Sequence, residues 1–422
     1  MRSAILVALF LCSLHCEAQK DTGYLLQPDR VFDGEKLVSG VSVFVHNDKI
    51  AAIGPTNSIK PTPDVVVIKL PGCTLLPGLI EGHSHLLLHP YNETSWNDQV
   101  MKESDAYRVA RATVHAKNTL MAGFTTVRDL GSEGAGYADV GLKKAIEEGI
   151  IPGPRMLVAG RAIVATGSYG PKGFDNDFKV MIGAEEGDGN NLITVVRDQI
   201  GKGVDIIKVY ADYRWGLNNE ARPTFSVDEL KLIVETAASS GRPVVAHAST
   251  AEGMRRATLA GVTTIEHGDN GTLEIFQLMK EKNVALCPTI AAGHAISQYR
   301  GWQPGSLPEP DGVKQKRVSY QAAIQAEVVM CAGGDVGVFA HGDNVRELEL
   351  MTEYGMMAEG VLRSATSVNA DVFGIGNLTG RIKENLKADI LVVQGDPTKN
   401  ISDLRKIKLV MKNGVVYRNE KL

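Results

Sequence analysis

Two histidines separated by a single residue, His83 and His85, end an apolar stretch that begins at Leu75. Side chains alternate along a β-strand, so both imidazoles face the same side and can chelate one cation. Histidines at strand ends are also often only hydrogen-bonded, and the pair alone is weak evidence for a metal site. His89, in the loop that follows, has no comparable partner and is interpreted as structural.

Four more polar residues end later apolar stretches in the same way. They are Lys208 in DIIKVY, His247 in VVAHAS, His267 in TIEHGD and Asp335 in CAGGDVG. Taken alone, each has a structural interpretation as a hydrogen-bonded core residue or a cap, and Lys208 as the partner of a nearby carboxylate. The neighbours of Lys208 are apolar, so we expect it to be buried, which is costly for an amine unless it is paired or modified.

These residues need a scaffold that brings strand ends together. Eight short apolar stretches alternate with amphipathic helical segments, a pattern typical of a parallel (β/α)8 barrel. The predicted strands are residues 75–85, 125–130, 155–160, 205–210, 243–249, 263–269, 284–289 and 328–335. The carboxyl ends of barrel strands meet at the face that carries catalytic residues. Imidazole and carboxylate donors gathered there suit zinc, with manganese, cobalt or iron as alternatives.

The two ends of the chain follow another pattern, of short strands joined by turns such as Asn413-Gly414. We therefore predict an α/β fold, a TIM-type (β/α)8 barrel at residues 75–380. A small discontinuous β-sandwich domain would be built from residues 20–74 and 381–422. The longest barrel loops, residues 166–190 and 288–311, are predicted to cover the pocket.

The N-terminal segment has the layout of a secretory signal peptide. Arg2 precedes an apolar run that is too short to span a bilayer, and a polar stretch follows. We expect residues 1–19 to be removed and the protein to be secreted or periplasmic. Lipidation of Cys16 is the alternative, but the residues before this cysteine are not the small ones that a lipoprotein site needs.

Bulk composition excludes several classes of protein. The 422 residues are 44% hydrophobic and 22% charged, as in an ordinary globular enzyme. The net charge is -4 and no basic run is dense enough to bind a row of phosphates, so nucleic acid is not an expected partner. Three cysteines remain after the signal peptide, Cys73, Cys287 and Cys331, and we expect them to be buried rather than paired in disulfides.

Taken together, the motifs resemble the amidohydrolase superfamily, in particular its imidazolonepropionase-like and prolidase-like peptidase branch. The matching stretches are LPGLIEGHSHLLLH, GFTTVRDLG, GPRMLVAGRAIVATG, IIKVY, VVAHASTAEGMRRATLAGVTTIEHG and GGDVGVFAHGDNVRELELM. They extend over almost the whole mature chain, which makes this combination far more specific than any single motif.

The resemblance implies a site with two divalent metal ions, zinc above all. The implied ligands of the more buried ion are His83, His85 and Asp335, those of the other ion are His247 and His267, and Lys208 would carry a carbamate that bridges both. A bridging hydroxide would attack the substrate carbonyl, with Asp335 as the catalytic acid and base.

Candidate substrate contacts rest on weaker matches. Family members often carry a Gly-His pair after the third strand, where this chain has TGSYG, and Tyr169 is expected to take its place. Tyr213 follows the fourth strand and His341 follows the eighth, and both are candidate substrate contacts, with a surface position as the alternative for His341. The eighth-strand motif reads G-G-D rather than the commoner G-T-D but keeps its aspartate.

The predicted function is that of a dipeptidase or N-acyl amino acid hydrolase, acting on a dipeptide or small-molecule substrate as a homo-oligomer without a membrane span. One alternative is hydrolysis of a cyclic amide or deamination of a heterocycle, as in imidazolonepropionase. Those enzymes usually use one metal and lack the bridging lysine, so Lys208 argues against them. Another alternative is a non-catalytic member of the superfamily, although all six ligand positions are filled here.

Overall fold

The structure is a computed structural model that describes residues 23–60, 64–175 and 177–420. The predicted signal peptide, residues 1–19, lies outside these ranges, so its cleavage stays a prediction. No helix in the described part of the chain is long and apolar enough to cross a membrane. Cys73, Cys287 and Cys331 are buried and free, which confirms the expectation for them.

Strands occur at both ends of the chain and throughout its middle. In chain order they are Gly23–Phe32 (β1), Leu37–Ser39 (β2), Ser42–His46 (β3), Lys49–Gly54 (β4), Val65–Pro77 (β5), Leu79–Ser84 (β6), Phe124–Asp129 (β7), Arg155–Val158 (β8), Ile163–Val164 (β9), Glu185–Glu186 (β10), Ile207–Tyr210 (β11), Asp212–Arg214 (β12), Ala221–Pro223 (β13), Val244–Ala248 (β14), Thr264–His267 (β15), Ala285–Cys287 (β16), Ile390–Gln394 (β17), Ile407–Lys412 (β18) and Val415–Asn419 (β19).

Helices alternate with the strands of the middle region. They are Trp96–Lys102 (α1), Asp105–Met121 (α2), Ala138–Glu147 (α3), Asn191–Gly201 (α4), Val227–Ala238 (α5), Ala251–Ala260 (α6), Leu273–Glu281 (α7), Ile290–Tyr299 (α8), Asp311–Ala326 (α9), Val345–Glu353 (α10), Ala358–Arg363 (α11) and Asn369–Val372 (α12).

Both ends of the chain contribute to one sheet, in the order β19-β18-β17-β5-β1-β3-β4, with β2 beside β1. β5 joins the two ends, because it pairs with β1 on one side and with β17 on the other. β5 runs as far as Pro77, so residues 75–77, predicted to begin the first barrel strand, belong to this terminal sheet instead. The first strand of the middle region is β6. The domain boundaries at residues 74 and 381 stay a prediction.

The middle of the chain has the alternating α/β architecture, which confirms the predicted fold class. β6, β7 and β8 are parallel neighbours, as are β9, β11, β14, β15 and β16. Two isolated parallel bridges, Leu286 to Met330 and Ser84 to Val336, place residues 330–336 between β16 and β6. Closure of these strands into an eight-stranded barrel stays a prediction.

The prediction of a continuous eighth strand at residues 328–335 was wrong, because only these isolated bridges form there. The close approach of Gly333 to β6 explains the irregular backbone. A Cβ atom added at Gly333 would stand 2.5 Å from the backbone nitrogen of His83, so the segment passes too close to β6 for an ordinary residue. This close approach brings Asp335 beside the histidines of β6.

Helix α5 illustrates how the outer layer forms. Ser226 and Glu229 make a reciprocal capping box at its start. Leu230, Ile233 and Ala237 recur at helical spacing and are buried in the main core. Full burial of a leucine or isoleucine stabilises the fold by about 1.5–3 kcal/mol.

The segment 288–311, predicted as a covering loop, is helical in part, because α8 occupies residues 290–299. The Glu347 carboxylate, supplied by α10, accepts hydrogen bonds from the backbone nitrogens of Ile290 at 3.0 Å and Ala291 at 2.7 Å. A distant residue therefore satisfies two of the free donors of this helix, whose N-cap residue, Thr289, makes no side-chain capping hydrogen bond. The other predicted loop, 166–190, is irregular apart from the short strand β10.

Candidate active site

The histidine pair of β6 is held by hydrogen bonds on one nitrogen of each ring. His83 Nδ1 donates to Glu266 Oε2 at 2.9 Å, and His85 Nδ1 donates to the backbone oxygen of Gly131 at 2.9 Å. Because both partners are pure acceptors, the proton sits on Nδ1 in each ring. In the neutral rings the Nε2 lone pairs are then free to bind a cation, an arrangement found at many metal-ligating histidines.

Asp335 lies against these two Nε2 atoms. Its Oδ1 atom is 3.3 Å from His85 Nε2 and 3.6 Å from His83 Nε2. This oxygen is buried and accepts no hydrogen bond from the described residues. The backbone of Asp335 has a φ of +61°, a left-handed conformation that is unusual outside glycine and turns the side chain toward the histidines.

His247 and His267 end the neighbouring strands β14 and β15. Their ring centroids are 4.4 Å apart, and that of His267 is 5.1 Å from that of His83. His267 Nδ1 is hydrogen-bonded to Thr289 Oγ1 at 2.7 Å. His247 stacks on Tyr210, with its Nε2 3.8 Å from Asp212 Oδ1. All four predicted histidine ligands therefore lie in one cluster.

Lys208 lies on β11, next to the strand β14 that carries His247, and is only 1% exposed. In the described part of the chain its amine forms neither an ion pair nor a hydrogen bond, and its Nζ is 5.7 Å from the centre of the Tyr210 ring. Burial, the largest influence, lowers the pKa of this amine. The alternative of a simple ion pair with a carboxylate is therefore not what the structure contains.

Protonation states suit cation binding at most of these residues. Burial lowers the pKa of His83 to about 4 and of His247 to about 3, and takes that of His267 well below its usual value. Burial acts in the same direction on His85, but the adjacent Asp335 carboxylate outweighs it and raises the pKa to about 9. Burial acts to raise the pKa of Asp335, but His83 and His85 lower it to about 2.

This donor set fits a divalent cation. His83, His267 and Asp335 each present a ligand atom, and these atoms lie within 4.8 Å of one another. The buried, unbonded Oδ1 of Asp335 is the atom that such an ion would satisfy, since a buried polar atom without a partner is costly. The structure thus brings the six residues proposed as ligands together, while their role as ligands stays a prediction.

A cavity of about 510 Å³ opens over this cluster. Tyr169 and Tyr213, two of the candidate substrate contacts, line it, together with Tyr91, Trp96 and Glu133. His341 does not line this cavity. Its ring stacks on His115 and its Nε2 donates to the backbone oxygen of Leu88 at 3.0 Å. The position of His341 therefore gives no support to a substrate contact.

The sequence alone did not reveal the groups that support the cluster. Glu266 bonds His83 with one carboxylate oxygen and accepts from Arg128 Nη2 at 2.8 Å with the other. Burial acts to raise the pKa of Glu266, but Arg128 and His83 hold it well below its usual range. The position of Glu266 next to His267 in TIEHGD could have indicated a role in the site. Strand alternation, however, predicts that the two side chains lie on opposite faces. A φ of +75° at His267 breaks that alternation.

Comparisons with known proteins agree with this geometry. A model of the amidohydrolase family matches residues 74–417. An ochratoxinase of Aspergillus niger is 29% identical over 371 residues, which cover 80% of this chain and 73% of that protein.

Two solved structures extend the comparison. A Xaa-Pro dipeptidase with methionine bound in its active site is 29% identical, with a TM-score of 0.82 over 94% of this chain and 100% of its own. A prolidase in complex with N-methylphosphonate-L-proline is 26% identical, with a TM-score of 0.81 over the same shares of the two chains.

Proposed function

The chain belongs to the amidohydrolase family, on its prolidase-like branch, and we propose that it is a binuclear dipeptidase or N-acyl amino acid hydrolase. It is a hydrolase of amide C–N bonds. The finer proposal is that it uses two divalent metal ions, zinc above all, in a (β/α)8 barrel, and releases an amino acid from its substrate.

The observation that carries this proposal is the state of Lys208. This amine is buried beside His83, His247 and Asp335, with no ion pair among the described residues. An ammonium group there would be repelled by any bound cation, since like charges at short range in a weakly screening interior are strongly unfavourable. A neutral or anionic form of Lys208 removes the conflict.

Carboxylation supplies that form. The uncharged Nζ attacks carbon dioxide, a C–N bond forms, one proton leaves to solvent, and the side chain becomes an anionic carbamate with two oxygens. Those oxygens would reach the ions held by the β6 histidines on one side and by His247 and His267 on the other. Lys208 would then complete both sites.

When bound, the metal pair would polarise the scissile carbonyl and lower the pKa of water toward neutrality. Asp335 would take the proton of the attacking water and deliver it to the departing amine, as a general base and then a general acid. Because Oδ1 faces the two histidine nitrogens, Oδ2 is the oxygen that we assign to the proton. Glu266 keeps His83 in the tautomer that leaves Nε2 free.

The walls of the cavity would hold the substrate. Tyr213 and the exposed Arg214 line it and could donate hydrogen bonds to the free carboxylate of the leaving amino acid. Arg222, from the same segment, is instead paired with Glu220 at 2.7 Å. Tyr169 packs against Tyr213, with ring centroids 4.8 Å apart, and completes this wall.

We also propose that the protein is secreted or periplasmic and forms a homo-oligomer. The location rests on the signal-like segment at residues 1–19. N-terminal sequencing of protein recovered outside the cytoplasm tests it, and a first residue near position 20 is the expected result. Sedimentation analysis tests the oligomer.

The function is tested by offering dipeptides, N-acyl amino acids, cyclic amides and aminated heterocycles to enzyme loaded with zinc in bicarbonate buffer. We expect release of free amino acids from the first two classes, and none from an Asp335→Asn control. Ring opening or ammonia release without amino acid release would favour the imidazolonepropionase-like alternative and overturn the proposal.

A further inference from the structure

Glu133 is an active-site carboxylate that the mechanism above does not use. It stands in the wall of the cavity between β7 and α3, and it is only 4% exposed. Its backbone has a φ of +47°, a conformation that a residue with a side chain keeps only where the surrounding structure imposes it.

The same backbone feature marks the site as a whole. Apart from asparagine and glycine, the described residues with a left-handed backbone are Glu133, His267, Thr289, Glu327 and Asp335. Four of these five border the cluster, since Thr289 is the hydrogen-bond partner of His267. Glu133 is thus placed by the same kind of local strain as the two predicted ligands, which is typical of functional sites.

The side-chain hydrogen-bond partners of the Glu133 carboxylate are uncharged. Oε2 accepts hydrogen bonds from Trp96 Nε1 at 2.9 Å and from the Tyr169 hydroxyl at 2.7 Å, and neither donor is charged. Arg108 donates to the backbone oxygen of Glu133 at 2.8 Å rather than to its carboxylate. Across residues 23–60, 64–175 and 177–420, no basic side chain forms an ion pair with this carboxylate. Arg108, His85 and Lys208 act on this carboxylate only at longer range. A buried carboxylate without an ion-pair partner favours a cationic ligand.

The second oxygen of Glu133 lies toward the reaction centre. The point where a Cβ atom of residue 131 would stand is 3.1 Å from Glu133 Oε1 and 3.5 Å from His85 Cε1. Glycine at position 131 therefore keeps open the small gap between this oxygen and a predicted ligand. Oε1 is therefore close to the ring of His85, at the edge of the histidine cluster.

Positive charge occupies another part of the same cavity. Arg214 and Arg300 line it and are both exposed. Besides Asp335, the cavity thus offers one further buried anion, Glu133, near the histidine cluster and two exposed cations elsewhere in its wall. A small zwitterion with an ammonium and a carboxylate at its two ends matches this distribution, whereas an N-acylated amino acid lacks the ammonium.

We propose that Glu133 binds a protonated amine on the acyl residue of the substrate, so that dipeptides with a free amine are preferred over N-acyl amino acids. This inference rests on the proposed amide hydrolase function and decides between its two substrate classes. The α-ammonium is the favoured group, and a basic side chain offers the same chemistry.

Three substrates test the proposal, with methionine as the leaving amino acid because it is bound in the neighbouring dipeptidase structure. They are Ala-Met, N-acetyl-Ala-Met and N-acetyl-Lys-Met. The variant is Glu133→Gln, whose amide oxygen can still accept from Trp96 and Tyr169. Glu148→Gln, at an exposed position just after α3, is the matched control. Melting temperatures establish that both variants are folded.

In the wild-type enzyme we expect Ala-Met to have the highest kcat/KM. Glu133→Gln should lower the ratio of kcat/KM for Ala-Met to kcat/KM for N-acetyl-Ala-Met by about 10- to 100-fold. The change should come mainly from a higher KM for Ala-Met, because a charge-assisted hydrogen bond is lost. Glu148→Gln should keep the wild-type ratio. If N-acetyl-Lys-Met is preferred and shows the same loss, the bound amine is that of the side chain.

An unchanged ratio in a folded, active Glu133→Gln enzyme would overturn the role of Glu133 and leave the amide hydrolase function standing. Absence of hydrolysis of all three substrates by the wild-type enzyme would overturn the proposed function, and the assignment of Glu133 with it.

Discussion

His83 and Glu266 are joined by a hydrogen bond of 2.9 Å between Nδ1 and Oε2, although 183 residues separate them in the chain. Both side chains are almost completely buried, and Arg128 holds the other carboxylate oxygen of Glu266. An imidazole oriented in this way by a carboxylate is a stronger and better-placed ligand. This pair connects the β6 histidines to the strand that carries His267.

Substituting Glu266→Gln should weaken metal binding by about 10- to 100-fold, because the amide can still accept the hydrogen bond but no longer carries the charge. Metal affinity is measured by competition with a chelator. Glu281→Gln, at an exposed position at the end of α7, is the matched control and should bind metal like the wild type. Equal affinities in the two variants would show that Glu266 does not support His83.

Asp335→Asn should leave the fold intact and lower kcat by at least about 100- to 10,000-fold, because an amide cannot relay a proton at neutral pH. Melting temperature and turnover of a dipeptide are measured together. Asp311→Asn, at a fully exposed side chain, is the control and should be fully active. Near wild-type turnover of folded Asp335→Asn with a normal metal content would contradict the assigned role.

Substitutions of Lys208 should separate charge from shape. Lys208→Ala should lower metal content and activity together, since no carbamate can form. Lys208→Glu should recover part of both by supplying a shorter carboxylate, whereas Lys208→Arg should recover neither, because guanidinium keeps its charge. Elemental analysis after incubation with zinc and bicarbonate measures this series. Full metal content in the alanine variant would argue against a bridging role.

Stability should depend on pH through Lys412 in the terminal sheet, whose amine donates to the backbone oxygen of Gly153 at 2.6 Å. Burial lowers the pKa of Lys412 to about 8. The unfolded chain, with a pKa near 10.4, then binds more protons than the folded chain between about pH 8 and 10.5, so stability rises with pH in that window. Below about pH 8 the penalty is constant, at about 3 kcal/mol.

Lys412→Met removes this penalty, so its melting temperature relative to the wild type should be most favourable at pH 7 and fall toward pH 10. The half-exposed Lys408 on the same strand provides the matched control, Lys408→Met. A difference between Lys412→Met and wild type that does not change with pH would contradict the assignment.

Much of the architecture could be predicted because it follows local patterns. Alternation in LIEGHSH places His83 and His85 on one face, and apolar stretches between helices place Lys208, His247 and His267 on successive parallel strands. These two local patterns are enough to predict the α/β class and the convergence of the predicted ligands.

The remainder depends on contacts that local patterns do not contain. The helix α8 begins with donors satisfied by Glu347, 57 residues away from Ile290, so the segment was interpreted as a loop. The backbone around Asp335 is set by close passage of Gly333 against β6, so no continuous strand forms there. Glu133 reaches the cavity through a left-handed backbone that strand and helix periodicities do not describe.

Electron density in a crystal of the enzyme loaded with zinc and bicarbonate tests the central claim most directly. We expect two metal ions per chain among His83, His85, His247, His267 and Asp335, joined by density for a carbamate extending from Lys208 Nζ. A plain amine at Lys208 pointing away from the metal, or a single ion in an active enzyme, would contradict it.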